Sequence, residues 1–143
     1  MIFFLSLTLS VLLPEITPPY TASNSLNINI NGAENKENSK LFIAIYRPSD
    51  PFPEFGKGWK NEIHQVKGSS QVISLDLPNG MYALAVFQDI NNNNKLDKNV
   101  FGYPTEPFGF SRNFRPILGK PDFNDCSFTY SGDKTTMTIR LIR

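Results

Sequence analysis

Alternating hydrophobic and polar residues predict β-strands at two well-separated places in the chain. Residues 26 to 31 read L-N-I-N-I-N, and Gly32 follows them. Residues 135 to 142 read T-T-M-T-I-R-L-I, which places Met137, Ile139 and Leu141 on one side. A period of two is typical of strands that bury one face. We therefore expect a half-buried strand in each segment.

Two further segments are apolar without alternation. Residues 41 to 46 read L-F-I-A-I-Y and are closed by Pro48, while residues 81 to 87 read M-Y-A-L-A-V-F. Successive side chains of a strand point to opposite faces. In the second segment, one face would carry Tyr82, Leu84 and Val86, and the other Ala83, Ala85 and Phe87. Such strands are expected to be central, with both faces covered.

Turn signals between these segments predict how they connect. The P-N-G of residues 78 to 80 predicts a hairpin between residues 73 to 77 and 81 to 87. The S-G-D of residues 131 to 133 predicts a last pair between 126 to 130 and 135 to 142. The Pro- and Gly-containing stretch from 47 to 70 is expected to be mostly loop, with a short extended piece near 63 to 66.

Short strands with frequent turns and no helical periodicity predict an all-β fold. We expect one domain, residues 24 to 143, built as an antiparallel immunoglobulin-like or transthyretin-like β-sandwich of six or seven strands. The chain has 143 residues, of which 40% are hydrophobic, enough for a sizeable core.

The N-terminal segment resembles an export signal. Residues 2 to 13 form an apolar run that is too short to cross a bilayer, and Pro14 follows it. The small residues T-A-S at 21 to 23 suit signal peptidase, so we expect residues 1 to 23 to be a cleaved signal peptide. The mature protein would then be periplasmic or extracellular, without a membrane span. The segment has no Lys or Arg, which leaves an uncleaved anchor as the alternative.

Charge and reactive residues argue against several function classes. The 14 basic and 13 acidic residues give a formal net charge of +1, which disfavours a nucleic-acid partner. His64 and Cys126 are the only residues of their kinds, which disfavours a catalytic triad and a zinc site. We expect a protein that is not an enzyme, with Cys126 buried on the same side as Phe128 and Tyr130.

One segment carries a candidate metal site. Residues 89 to 97 read D-I-N-N-N-N-K-L-D, which places side-chain oxygens on alternate residues, as in a calcium loop. The candidate ligands are the side chains of Asp89, Asn91, Asn93 and Asp97 and the main-chain carbonyl of Lys95.

Two positions of this loop depart from an EF-hand. Asn94 replaces the usual glycine, but asparagine tolerates the left-handed backbone conformation. Val100 replaces the bidentate glutamate, so Glu106 or a water would have to complete the shell. We expect weak Ca²⁺ binding; the alternative is an Asn-rich turn whose side chains only cap main-chain groups.

A longer motif around this loop resembles a known family. Residues 80 to 111 combine a strand, the D-x-N-x-N loop, a downstream L-D and the pattern G-x-P-x-E-P-x-G-F-S. This combination resembles the bacterial domain-of-unknown-function family 2141 (DUF2141), and the resemblance extends loosely over residues 26 to 142. It implies a small exported β protein and no established activity. Gln88 stands where members often carry His, and Asn94 where they often carry Gly.

The aromatic segment of residues 103 to 114 supports a competing hypothesis. Its rings are those of Tyr103, Phe108, Phe110 and Phe114. They would either bind a glycan or peptide or cover the open end of the sandwich. Three functions therefore remain: an uncharacterised, non-catalytic structural or cell-surface module with a calcium loop, a ligand-binding module, and a carboxylate-dependent hydrolase.

We predict that exported protein lacks residues 1 to 23, because the apolar run and the T-A-S site fit a cleaved signal peptide. N-terminal sequencing of protein recovered outside the cytoplasm measures this directly. Recovery of a chain that starts at Met1 in the cytoplasm would refute the export hypothesis.

Overall fold

The strands are short and connected mostly by irregular segments. The structure, a computed structural model, describes residues 25 to 133 and 135 to 143. The predicted signal segment lies outside the described residues. The strands are β1 (Ser25–Asn31), β2 (Lys40–Tyr46), β3 (Lys60–Gln65), β4 (Ser70–Asp76), β5 (Gly80–Asp89), β6 (Phe108–Phe110), β7 (Phe128–Tyr130) and β8 (Thr135–Arg140). A 3-10 turn spans Ser111–Asn113, and the one described α-helix, α1, spans Phe123–Cys126.

The strands form two sheets that pack as a sandwich, which confirms the predicted fold class. One sheet has three strands in the order β4-β1-β8. The other has five: β3, β2 and β5 lie side by side, and both β6 and β7 pair with the free edge of β5. All pairs are antiparallel except β1 with β8, which run parallel. The described residues hold eight strands, more than the six or seven expected, because β6, only 3 residues long, was not predicted.

The space between the sheets holds the main hydrophobic core, as the alternating patterns predicted. It includes Leu26, Ile28 and Ile30 of β1, Leu41, Ile43 and Ile45 of β2, Tyr82, Leu84 and Val86 of β5, and Ile139 of β8. On the outer face of the three-stranded sheet, serines of β4 donate to asparagines of β1: Ser74 Oγ to Asn27 Oδ1 (2.5 Å) and Ser70 Oγ to Asn31 Oδ1 (2.6 Å). This sheet therefore has one apolar and one polar face.

A second apolar layer covers the outer face of the five-stranded sheet. Its buried members are Ala44, Tyr46, Ala83, Ala85, Phe87, Phe108, Phe110 and Cys126. The prediction that residues 81 to 87 form a central strand covered on both faces is confirmed. Long connections before β3 and between β5 and β7 supply this outer layer.

The prediction of a hairpin at the P-N-G turn of residues 78 to 80 is wrong. Residues 77 to 79 carry the chain from one sheet to the other, since β4 pairs with β1 and β5 pairs with β2. Alternation shows which side chains face the core, but it does not show which strand is the neighbour. The polar outer faces of β4 and β1 match each other, whereas β5 needs a partner that is apolar on both faces.

The prediction that the last two strands pair with each other across the S-G-D turn is also wrong, again because alternation does not show which strand is the neighbour. β7 pairs with the start of β5, and β8 pairs with β1 in the opposite sheet. Cys126 is buried as expected but ends α1 in the outer layer, while Phe128 and Tyr130 pack in the main core. The expectation that all three share one side is therefore also wrong.

Ser111 fills a gap along the edge of β5. β7 pairs with residues 80 to 82 of β5 and β6 with residues 85 to 87, which leaves Ala83 and Leu84 between them. The Leu84 N–H donates to Ser111 Oγ (2.9 Å), and the Ser111 hydroxyl donates to the Cys126 carbonyl. The buried serine of the G-F-S-R-N sequence thus satisfies backbone groups that neither short strand reaches.

No helix among the described residues is long and apolar enough to cross a membrane.

Candidate functional site: the loop after strand β5

The Asp/Asn loop starts from a fully buried carboxylate. Asp89 is the last residue of β5, pairs with Lys40 of β2 and is 0% exposed. Its two carboxylate oxygens accept hydrogen bonds from the backbone N–H of Asn93 (3.2 Å) and of Asn94 (2.8 Å). The charge of Asp89 therefore fixes the turn of the loop that follows it.

Alternate asparagines continue this pattern along the loop. The Oδ1 atom of Asn91 accepts from the Asn93 N–H (3.1 Å), and the Oδ1 atom of Asn93 accepts from the Lys95 N–H (2.8 Å). Asn92 and Asn94 have φ angles of 62° and 59°, in the left-handed region. Asn94 thus adopts the conformation predicted for it, and the backbone curls so that positions 91 and 93 face the same side.

Asp97 lies opposite these asparagines and closes the loop. Its carboxylate accepts from Asn91 Nδ2 (2.6 Å) and from Asn93 Nδ2 (2.9 and 3.0 Å). Asn93 contacts both acidic residues, because its backbone N–H bonds to Asp89. The structure therefore brings together the four side chains that the sequence proposed as calcium ligands.

Glu106 holds the two ends of the loop. It is 5% exposed, and its Oε1 accepts from the Ile90 N–H (2.8 Å) while its Oε2 accepts from the Asp97 N–H (3.1 Å). The sequence placed Glu106 at this loop as a metal ligand. In the structure, both of its oxygens are used by main-chain donors, which makes it a brace for the loop ends.

The candidate ligand set is poor in negative charge. Among the described residues, no group of three or more His, Cys, Asp and Glu side chains is arranged to hold a metal ion. Asp89 and Asp97 would supply the charge, and the amides of Asn91 and Asn93 and the main-chain carbonyl of Lys95 would supply neutral oxygens. The Lys95 side chain is exposed. This arrangement fits a hard-oxygen site of low charge.

Gln88 fixes a second loop to the end of β5, a role that the sequence analysis did not predict. It is fully buried, and its amide accepts from the Glu34 N–H (2.7 Å) and donates to the Glu34 carbonyl (2.7 Å) and to Ser39 Oγ (2.9 Å). A polar residue within an otherwise apolar strand was the available signal. Its three partners lie 49 to 54 positions away in sequence, so the pattern alone did not identify them.

A groove lies beside the loop on the outer face of the five-stranded sheet. We call it the aromatic groove; its volume is about 480 Å³. Phe42 stacks on Phe87 at 4.8 Å between ring centroids, and Phe55 meets Phe87 edge-on at 4.6 Å. Asn94, Lys95 and Leu96 of the Asp/Asn loop form part of the wall. A smaller groove of about 110 Å³ shares Phe55, Leu96 and Lys98 with it.

The aromatic segment 103 to 114 divides between two roles. Phe108 and Phe110 are 3% and 7% exposed and belong to the outer apolar layer. Tyr103 is 43% exposed and lines the smaller groove. Phe108 and Phe110 thus cover the outer face of the five-stranded sheet, and not the open end of the sandwich as one alternative proposed, while Tyr103 faces solvent.

The two reactive side chains considered earlier lie in different environments. Cys126 is fully buried, and burial raises the pKa of its thiol to about 12. His64 Nε2 lies 2.9 Å from Glu62 Oε2, and Lys60 Nζ lies 2.8 Å from the other oxygen of Glu62. Burial acts to raise the pKa of Glu62, but these two hydrogen-bonding partners outweigh it and lower the pKa. Glu62 is therefore an ordinary ionised partner.

Comparison with known proteins identifies the family. The model of the family described as "Uncharacterized protein conserved in bacteria (DUF2141)" matches residues 28 to 138. The chain belongs to this family. The match begins in β1 and ends in β8, so the DUF2141 region includes both sheets and the Asp/Asn loop. Neither curated proteins nor solved structures gave a match.

We predict that Glu106→Gln destabilises the fold by about 2 kcal/mol, because the new amide NH₂ would face one of two backbone N–H donors that the carboxylate now accepts. Urea denaturation of the wild type and the variant measures the difference. Glu37→Gln, at an exposed position, is the matched control and should change stability by less than about 0.5 kcal/mol. Equal stability of the Glu106 variant and the wild type would contradict the bracing role.

Proposed function

We propose that this DUF2141 protein is an exported, non-catalytic β-sandwich module, structural or cell-surface in role, whose loop at residues 89 to 97 binds calcium weakly. The observation that carries the proposal is the convergence of oxygen-bearing groups in that loop. The amides of Asn91 and Asn93 lie within 2.6 to 3.0 Å of the Asp97 carboxylate, and Asn93 also bonds to Asp89.

The ion would replace hydrogen bonds that are already formed. The ion would displace the Asn91 and Asn93 NH₂ groups from the Asp97 carboxylate, while each Oδ1 atom keeps the backbone N–H that it accepts and offers its second lone pair to the ion. The ends of the loop need not move, because Glu106 holds them through Ile90 and Asp97. A loop ordered in advance loses little conformational entropy on binding.

Affinity is expected to be low because calcium affinity follows ligand charge and site rigidity. Asp89 and Asp97 are the only carboxylates in the candidate shell apart from Glu106, whose oxygens accept backbone N–H groups. Extracellular modules with few charges bind with dissociation constants on the order of 10⁻⁴ to 10⁻³ M. Millimolar calcium outside the cell would fill such a site.

The position of the carboxylates supports a non-catalytic role over a carboxylate-dependent hydrolase. Asp89 and Glu106 are buried and accept backbone hydrogen bonds, and neither lines the grooves described above. Within the described residues, Glu62 is the one acidic residue in the aromatic groove, and it is paired with Lys60. A pair of free carboxylates facing one groove, which acid/base hydrolysis needs, is not formed by these residues.

Calcium titration by calorimetry tests the proposal, with magnesium as the control ion. We expect binding in the 10⁻⁴ to 10⁻³ M range and, at about ten times the dissociation constant, a stabilisation of about 1.4 kcal/mol. Asp89→Asn should abolish the calcium-dependent rise in Tm, and Asp97→Asn should reduce it strongly. Asparagine keeps one acceptor oxygen at each position, so both variants should fold without calcium, with a lower starting Tm for Asp89→Asn because Asp89 uses both oxygens for backbone N–H groups.

The matched control is Asp76→Asn, which removes an exposed carboxylate at the end of β4. It should leave the calcium response unchanged. No heat of binding and no calcium-dependent rise in Tm at several millimolar would favour the Asn-rich turn, in which the side chains only cap main-chain groups.

A second candidate function, a module that binds a glycan or peptide, is supported by the aromatic groove. Phe42 and Phe55 are half-buried and present ring surface beside the Asp/Asn loop. Apolar walls with a few polar groups are typical of small-molecule sites. The polar groups here are Asn61, Glu62, Asn94, Lys95 and Lys98. This surface lies next to the 103 to 114 segment and meets it in the smaller groove.

NMR titration with oligosaccharides of N-acetylglucosamine and of glucose tests this second function. We expect shifts confined to residues around Phe42 and Phe55, and at least a fivefold loss of affinity in Phe42→Leu, which removes the flat ring but keeps an apolar side chain. Val72→Ala, at an exposed position on β4, is the control. Absence of shifts at millimolar sugar, or shifts elsewhere, would exclude the groove as a glycan site.

A further inference from the structure

Two neighbouring loops carry the most exposed hydrophobic side chains of the described residues. Val100 and Phe101 are 95% and 91% exposed, and Ile117 and Leu118 are 94% and 92% exposed. The exposed fractions of the other exposed large hydrophobic residues that the structure describes range from 37% to 64%. We call these four residues the loop-tip patch. Clustered exposure of this kind marks interaction surfaces.

The two loops lie side by side. Both line the smaller groove, the first through Gly102, Tyr103 and Pro104 and the second through Pro116, Gly119 and Lys120. The tips therefore project from one end of the outer layer. They do not belong to the aromatic groove, whose lining includes none of the four patch residues.

The first tip is held by a defined turn. The Asn99 side-chain oxygen accepts from the N–H groups of Phe101 and Tyr103, each at 3.0 Å, and the Asn99 carbonyl accepts from the Gly102 N–H at 2.9 Å. Gly102 has a φ of 80°, which a residue with a side chain rarely adopts. This turn forces the side chains of Val100 and Phe101 outward into solvent.

Basic side chains surround the patch. Between residues 97 and 125 the sequence has four basic and four acidic residues, and three of the acids, Asp97, Glu106 and Asp125, accept hydrogen bonds within the protein. Lys98, Arg115 and Lys120 are exposed, and none of them forms an ion pair within the described residues. These three basic side chains are therefore free to contact an external anion.

Glu54 lies near Lys120 but is paired with another lysine. Glu54 forms an ion pair with Lys57 at 2.7 Å. The hydrogen bond from Lys57 is the main reason that the pKa of Glu54 is lowered, and Lys120 adds a smaller contribution through space. The charge of Glu54 is thus already paired, which leaves Lys120 available to an external anion.

We propose that the loop-tip patch docks onto the surface of a membrane that contains anionic lipids. Phe101 and Leu118, with their neighbours, would enter the boundary between headgroups and acyl chains, and Lys98, Arg115 and Lys120 would contact lipid phosphates. Tyr103, whose ring is partly exposed, would lie at the headgroup level. Apolar tips that project almost fully into solvent and carry a basic rim match a lipid surface better than a protein partner, which would normally offer or fill a concave site.

Co-sedimentation with vesicles tests this inference. The purified protein is mixed with vesicles of phosphatidylcholine alone, or of equal parts phosphatidylcholine and phosphatidylglycerol, in the presence of a calcium chelator. We expect binding to the anionic vesicles, at least about tenfold weaker binding to phosphatidylcholine, and weakening by salt. Because calcium is removed, the result does not depend on the proposed calcium loop.

Two double variants separate the apolar and charged contributions. Phe101→Ala with Leu118→Ala, and Lys98→Glu with Lys120→Glu, should each reduce vesicle binding by about tenfold or more. The matched controls are Val72→Ala with Met81→Ala, and Lys36→Glu with Lys67→Glu, which change exposed hydrophobic and basic residues away from the patch. All four variants should melt like the wild type, and the controls should bind like it.

Several results would overturn the proposal. These are no binding to anionic vesicles at low salt, unchanged binding by the two patch variants, or an equal loss in the control variants. Sedimentation velocity tests whether a second copy of the chain, instead of a membrane, binds the loop-tip patch. Self-association that Phe101→Ala with Leu118→Ala abolishes, without any vesicle binding, would identify the patch as an interface between copies.

Discussion

The structure depends on β5, the strand whose two faces are both buried. On one face its side chains join the core between the sheets, and on the other they lie under the outer aromatic layer. One edge pairs with β2, while the other is completed by β7, Ser111 and β6 in succession. Because each of these elements comes from a different part of the chain, they must assemble together, and the long connections become part of the core instead of free loops.

The polar end of β5 explains why the candidate site is where it is. Gln88 and Asp89 follow eight residues of the strand and are both fully buried, and each satisfies backbone groups of a different loop. Glu106 then fixes the far end of the Asp/Asn loop. Buried polar groups are costly unless they are fully hydrogen-bonded, so this network orders the loop even without an ion. Calcium, in the proposed function, adds rigidity to a loop whose shape is already set.

The sequence predicted much of the candidate site because its geometry is local. Oxygens on alternate residues between Asp89 and Asp97 and an asparagine that tolerates positive φ were enough to predict one inward-facing loop. The sequence placed Glu106 beside the loop as a candidate metal ligand, but it did not predict that Glu106 accepts the backbone N–H groups of Ile90 and Asp97. Gln88 and Ser111 were missed as structural residues, because their partners lie 15 to 54 positions away in sequence.

For the fold, the sequence by itself determined most of the strands, their buried faces and the double-sided burial of β5, because side-chain alternation is a property of each strand alone. Only the tertiary structure decided which strands are neighbours. The turns at residues 78 to 80 and 131 to 133 favour a change of direction, but a change of direction serves a hairpin and a crossing between sheets equally well. The choice between a hairpin and a crossing depends on which strand faces are complementary. The polar outer face of β4 hydrogen-bonds to that of β1, and these bonds form only when both strands are already in the sheet.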